Sequence, residues 1–151
     1  MKKLEEFKVL PKLVGIWQGH WIALDPQGKE AYQFTSLLTQ KIVNNQWVQT
    51  NENKYSDGRQ ETLHFSGKVL ENNSLLLESS DTPYSDFKMI VDEHGEHLII
   101  ISVSEKKTDS PLAIETINLV NPKQRIRTLQ QFKSPNGQLR GFTLVNEQKI
   151  D

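Results

Sequence analysis

The chain has no cysteine among its 151 residues. Disulfides, thiolate nucleophiles, zinc–thiolate sites and iron–sulfur clusters are therefore excluded together. It also lacks any apolar run of about 18 residues, the length a membrane-spanning helix needs. Met1-Lys2-Lys3 begins like a secretory leader, but Glu5, Glu6 and Lys8 interrupt the apolar segment that should follow. A cytoplasmic location is expected. Charge of one sign is missing too: 18 Lys and Arg stand against 19 Asp and Glu, a net charge of -1. No overall field attracts nucleic acid or anionic lipid, and the basic residues form no stripe interleaved with aromatics. There is no glycine-rich phosphate loop, no HExxH and no carboxylate-rich calcium loop. Ser66-Gly67 and Ser102 lack the setting of a nucleophile elbow. No metal and no cofactor is expected.

What is present suits one globular domain over residues 1–151, with 36% hydrophobic and 25% charged residues. A chain of this size buries roughly two thirds of its unfolded surface. Leu4, Phe7 and Leu10 recur at helical spacing, predicting a short helix from Lys2 to Leu10 that ends at Pro11 and plugs or caps something. Turn signals then take over: Asp25-Pro26-Gln27-Gly28, Asn44-Asn45, Asp57-Gly58, Asn72-Asn73, Glu93-His94-Gly95, Asn121-Pro122 and Pro135-Asn136-Gly137. Between them lie runs rich in Thr, Val, Ile, Leu and aromatics. Strands are predicted near 14–24, 29–43, 46–56, 59–66, 67–79, 85–92, 97–104, 112–120, 124–133 and 138–149. About ten strands with short links make an all-β, antiparallel up-and-down barrel, since closure removes exposed edges. Polar Glu105 to Pro111 is the expected mobile rim.

Turn geometry sets register, and register sets faces. A three-residue loop after Asp25 places Ile22 opposite Tyr32 and His20 opposite Phe34. A two-residue turn at Asn44-Asn45 pairs Phe34 with Tyr55 and Ile42 with Trp47. Another at Asp57-Gly58 pairs Asn51 with His64. One face then carries His20, Ile22, Tyr32, Phe34, Leu38, Trp47, Asn51, Asn53, Tyr55 and His64. The other carries Trp17, Trp21, Lys41, Lys54 and Glu61, with Lys54 across from Glu61. Charges belong outside, so the aromatic and amide face is the expected interior. It reads either as a pocket for an amphipathic molecule or as a filled core whose polar atoms satisfy one another. The same count leaves Trp17 and Trp21 outside, an unusual exposure for a monomer. A bulge that flips the parity, the N-terminal helix, or a second subunit would resolve it.

Gly15-x-Trp17 after a short helix, at the head of a meander, resembles the calycin superfamily of lipocalins and fatty-acid-binding proteins. Trp17-x-Gly19, Asp25-Pro26-x-Gly28, Trp47-Val48-Gln49-Thr50-Asn51 and Asp57-Gly58-Arg59 carry the likeness further. So do Glu115-Thr116-Ile117, Arg125-Ile126-Arg127-Thr128 and Leu144-Val145-Asn146-Glu147. Together they resemble an uncharacterised, largely cyanobacterial calycin-like family, a domain of unknown function. The resemblance implies a lipocalin-like barrel of ligand size. More distantly, the S/T-type bilin lyases share the barrel, with no lyase-specific motif present here, so that extension is fold analogy.

Arg125, Arg127 and Glu147 are the most suggestive group. A loop pairing Ser134 with Gln138 sets Arg125 opposite Glu147 and Arg127 opposite Val145, all on one face. Inside, the guanidinium groups would grip a ligand carboxylate. Outside, Arg125 and Glu147 would be an ordinary cross-strand ion pair. The lipocalin resemblance implies a third role, a late arginine packed on the first-strand tryptophan, here Arg127 over Trp17. Among the histidines, His94 and His97 flank a tight turn. His20 and His64 share the inferred interior face and read either as acid–base groups or as hydrogen-bonded core residues. Related nitrobindin-type barrels hold haem through a late histidine, and none follows His97.

Three functions remain open from sequence. The first is a binding barrel for a small hydrophobic or amphipathic molecule, tetrapyrrole-like or lipid. Its wall would be built from Tyr32, Phe34, Trp47, Asn51, Tyr55 and His64, with Arg125, Arg127 and Glu147 as anchors. The second is an interaction module that makes a homodimer through an outer Trp17/Trp21 surface. The third is an isomerase or lyase acting on the bound molecule through His64 or His20.

Overall fold

The computed structural model describes residues 1–151. Ten antiparallel strands follow one another: β1 (Gly15–Leu24), β2 (Glu30–Val43), β3 (Gln46–Tyr55), β4 (Gln60–Val69), β5 (Leu75–Glu78), β6 (Phe87–His94), β7 (Leu98–Glu105), β8 (Pro111–Asn121), β9 (Gln124–Phe132) and β10 (Leu139–Lys149). Each pairs with its chain neighbours, and β1 pairs with β10, so the sheet is a closed barrel with no free edge. The fourth and fifth strands part later than expected, because the Asn72-Asn73 turn lies within the span predicted as strand. No helix is long and apolar enough to cross a membrane.

The predicted N-terminal helix is instead two 3₁₀ turns, Leu4–Glu6 and Leu10–Leu13. The spacing of the leucines was informative about burial rather than about helix length. Leu4, Phe7, Val9, Leu10 and Leu13 are all buried against the core and plug one end of the barrel. A short plug leaves backbone N–H groups without helical partners, and the Glu93 carboxylate accepts three of them, from Lys8, Val9 and Leu10. The Asn45 side chain accepts a fourth, from Leu4, at 2.7 Å.

Register decides what faces inward. The Asp25–Lys29 loop forms as predicted, with Asp25 N–H donating to the Lys29 carbonyl at 2.7 Å. One pair further in, the register shifts between Ala23 and Leu24, so Trp21 lies opposite Phe34 and Ala23 opposite Tyr32. This bulge reverses the parity of β1. Trp17 (0% exposed) and Trp21 (8%) therefore point into the barrel, while His20 and Ile22 face out. The outer Trp17/Trp21 surface, and the dimer built on it, lose their basis.

A second shift follows Tyr55. Its N–H donates to Arg59 O and Gly58 N–H returns to Tyr55 O, a loop one residue longer than a two-residue turn. Leu63 then pairs with Asn51 in place of His64, and Gln60 pairs with Lys54 in place of Glu61. The register between β9 and β10 matches the expected one for a different reason. The loop closes at Lys133 and Gln138, one residue wider than predicted, and a bulge between Leu139 and Gly141 restores Arg125 opposite Glu147.

Candidate functional site

A cavity of about 240 Å³ lies inside the barrel, and 19 of its 26 lining residues are hydrophobic. Leu10 and Leu13 of the plug form its floor, and Phe132 and Arg140 line it near the opposite mouth. Between them, β5 to β8 supply an aliphatic wall that includes Leu75, Leu77, Ile99 and Ile101. Alternation along these strands places the branched side chains inside, and they carry no hydrogen-bonding group.

The opposite wall is polar and densely bonded. Arg125 is fully buried and donates from Nε to Glu147 Oε1 at 2.7 Å and from Nη1 to Gln40 Oε1 at 2.7 Å. Its guanidinium carbon lies 4.2 Å from the centre of the Trp17 ring. Arg127 donates from Nη2 and Nε to Glu115 Oε2 at 2.7 and 3.2 Å and lies 4.9 Å from the Trp21 ring centre. Its Nη1 is 3.5 Å from Glu147 Oε1 and is the one fully buried side-chain polar atom without a hydrogen bond. Glu147 thus sits between two cations. Gly19, directly opposite on β1, makes room for it, since a Cβ there would come within 2.9 Å of Glu147 Cγ. Burial would raise the Glu147 pKa, yet the Arg127 and Arg125 charges hold it below the usual carboxylate range. Burial likewise opposes the Arg127 charge, and Glu115 and Glu147 outweigh it, holding its pKa above the ordinary arginine value. Burial pulls Arg125 down to about 10, which still leaves it protonated at neutral pH.

From Arg125 a chain of amides runs along β2 and β3. Gln40 Nε2 donates to Gln49 Oε1 at 2.9 Å, Trp47 Nε1 donates to the same oxygen at 3.0 Å, and Gln49 Nε2 donates to Asn51 Oδ1 at 2.9 Å. Trp21 Nε1 donates to Ser36 Oγ, and Trp17 Nε1 to the Leu13 carbonyl at 2.9 Å.

Of the residues singled out from sequence, Trp47, Asn51, Arg125, Arg127 and Glu147 come together inside. Trp47, Asn51 and Arg127 line the cavity itself. The tryptophan beneath Arg127 is Trp21, and Trp17 is covered by Arg125, which exchanges the partners expected from sequence. Phe34 lies inside but is packed on Trp21, with ring centres 5.0 Å apart, and on Tyr55 at 4.9 Å. The Tyr55 hydroxyl donates to Glu61, which the longer loop after Tyr55 brings inward; burial, then that carboxylate, push the Tyr55 pKa well above its usual value. Tyr32, 51% exposed, lies near the β1–β2 loop and lines no part of the cavity.

His20 and His64 both lie on the outside. His20 Nε2 meets the Gln33 side chain at 2.8 Å, and the His64 imidazole faces Asp81 at 3.4 Å with 65% of its side chain exposed. Neither can reach a molecule in the barrel. The residues missed from sequence are Gln40, Gln49, Glu115 and the aliphatic wall. Glu115 carried a usable signal, because it alternates with Ile117 and Leu119 and so had to share their inward face. No group of three or more His, Asp and Glu side chains is gathered as a metal site requires.

Over residues 3–151 the chain matches the family described as "Domain of unknown function (DUF3598), N-terminal". The chain belongs to this DUF3598 family. Its fold matches that of a DUF3598 protein of unknown function from Nostoc punctiforme PCC 73102, with a TM-score of 0.71 and 15% identity over 93% of this chain and 49% of that one. The DUF3598 barrel described here therefore spans about half the length of that relative. It is also similar to the S-type phycobiliprotein lyase CPES from Guillardia theta, with a TM-score of 0.72 and 11% identity over 99% of this chain and 94% of that chain. A third similar structure is EF1p2_mFAP2b bound to DFHBI, with a TM-score of 0.50 and 12% identity over 94% and 98% of the two chains. At these identities the likeness establishes the barrel fold alone. No match is found among curated proteins.

Proposed function

We propose that this DUF3598 barrel is a container for a small, mainly apolar organic molecule. The observation that carries the reading is the cavity, with its aliphatic wall on one side and a bonded polar wall on the other. A filled core would have closed over that space, since protein interiors pack with few voids larger than a water molecule. Similar barrels give the reading further support: one is a phycobiliprotein lyase and one holds DFHBI.

Size narrows the guest. At about 240 Å³ the cavity lies below the ~300–1,000 Å³ typical of small-molecule pockets. A molecule fully enclosed is therefore short. A tetrapyrrole or a long-chain lipid would insert one end and leave the remainder at the mouth. The site is a cavity with bonded walls and has no histidine within reach, so binding is favoured over catalysis. A cytoplasmic setting belongs to the same reading.

Trp21 and Trp47 line the cavity, so intrinsic fluorescence reports on its contents. Native mass spectrometry of freshly purified protein should show an associated small molecule, or titration with short apolar probes should quench the tryptophan emission saturably. Folded protein that carries nothing and responds to no probe would end this reading.

A further inference from the structure

The amide network has a direction as well as a position. Arg125 Nη1 can only donate, so the Gln40 atom it meets is the carbonyl oxygen, and the Gln40 nitrogen points on to Gln49. Trp47 Nε1 also only donates, and it meets Gln49 Oε1, which leaves Gln49 Nε2 to donate to Asn51 Oδ1. Two unambiguous donors thereby orient three side-chain amides whose oxygen and nitrogen are otherwise interchangeable. The relay ends on Asn51 Nδ2. That donor has no partner within the protein, and its side chain lines the cavity.

Charge supplies the second half of the argument. Arg125, Arg127, Glu115 and Glu147 form one buried group whose charges sum to zero. Arg127 spends Nε and Nη2 on Glu115 Oε2, and both residues line the cavity. The one donor left is Arg127 Nη1, which is buried and lies 3.5 Å from Glu147 Oε1, so a carboxylate guest would find no fork of two free donors there. It would also add an uncompensated negative charge beside Glu115 where water is scarce. A carbonyl oxygen would satisfy the Asn51 donor at no such cost.

We propose, on the basis of the container reading, that the cavity selects uncharged molecules bearing a carbonyl oxygen, which accepts a hydrogen bond from Asn51 Nδ2. The guest class is thus ketones, aldehydes, esters or lactams with a short apolar body. Fatty carboxylates are discriminated against.

The test is displacement of the neutral dye 1-aminoanthracene at pH 7 by three probes of equal length: 2-nonanone, nonanoate and nonane. The ketone should bind about tenfold or more tighter than nonanoate and several-fold tighter than nonane. Asn51→Asp keeps the acceptor used by Gln49 and removes the donor, so the ketone should lose its advantage over nonane. Asn51→Leu should lose it as well, and circular dichroism of both variants confirms that the barrel is intact. Nonanoate binding as tightly as the ketone, or a ketone advantage that survives in both variants, would overturn the proposal and leave the container reading standing. If neither the dye nor any probe binds the folded protein, the container reading fails and the proposal with it.

Discussion

The two walls of this barrel come from similar alternating strands and end in opposite states. On β1, β2, β3, β9 and β10 the inward side chains include Trp17, Gln40, Gln49, Arg125, Arg127 and Glu147, and they bond to one another until little space remains. On β5, β6 and β7 they are Leu75, Leu77, Met89, Val91, Ile99 and Ile101, and the cavity lies against them. Long polar side chains reach across the barrel and are fixed by directional bonds. Branched aliphatic side chains stop short and have no means of pulling the far wall closer. The polar side therefore sets shape and specificity, and the apolar side sets capacity. Breaking each side in turn should produce different losses.

The largest effect is expected from Glu147→Ala. It leaves Arg125 and Arg127 buried side by side with Glu115 bonded to Arg127 and no carboxylate on Arg125, and removing one partner of a buried ion group typically costs ~3–5 kcal/mol. Urea denaturation would read this as a large drop in the midpoint. Glu147 also makes the fold acid-sensitive. Its pKa in the folded protein lies below the ordinary value of 4.5. Its stabilisation is therefore complete above the unfolded value and declines as pH falls through the folded one. Glu147→Gln should flatten the stability curve below about pH 4.5 relative to the parent; a parallel curve would mean that other carboxylates govern acid unfolding.

On the apolar side, Leu75→Ala enlarges an existing space. Leu75 is fully buried and touches the cavity. The cost should be about 2–3 kcal/mol, in the lower part of the range for such truncations, because no polar group is orphaned. The same variant should bind bulkier apolar probes more tightly than the parent in the tryptophan titration. Loss of stability without that gain would mean that the wall collapses inward, and that capacity is not set by these side chains.

How much of this was legible in the sequence depends on whether a feature is local. Ten strands and their order follow from turn residues and alternation, both visible over a few positions. So does the inward placement of Leu38, Trp47 and Asn51, and so does the shared face of Arg125, Arg127 and Glu147, although alternation alone left open whether that face points in or out. Parity across β1 was not legible. It hangs on one extra residue near Ala31, and no residue type there announces a bulge. The same single-residue slip after Tyr55 exchanged Leu63 for His64 and brought Glu61 inward. Because side chains alternate with a period of two, an error of one residue in a hairpin reverses a whole strand. It moved the two tryptophans inside and both candidate histidines outside. The β9–β10 register matched because a wider loop and a bulge offset each other, so agreement there was agreement of sums.

The smallest effects are expected at those histidines, and they sharpen the contrast between the walls by lying on neither. His20 is exposed against Gln33, and His64 is exposed beside Asp81, whose carboxylate also accepts the His64 backbone N–H at 2.6 Å. That backbone bond survives any substitution of the side chain. An exposed imidazole–carboxylate contact contributes little, since water competes for both partners and salt screens them. His20→Ala and His64→Ala should therefore shift stability by no more than ~0.5 kcal/mol and leave probe affinity unchanged. A substantial loss of binding in His64→Ala would require the outer surface at β4 to communicate with the cavity through Leu63, its inward neighbour. The only route is the strand itself, which at His64 is held by the ladder to β3, the ladder to β5 beginning at Ser66. The β3 ladder and the Asp81 bond to the His64 N–H fix that stretch, so measurable coupling there would show that β4 shifts when the barrel fills.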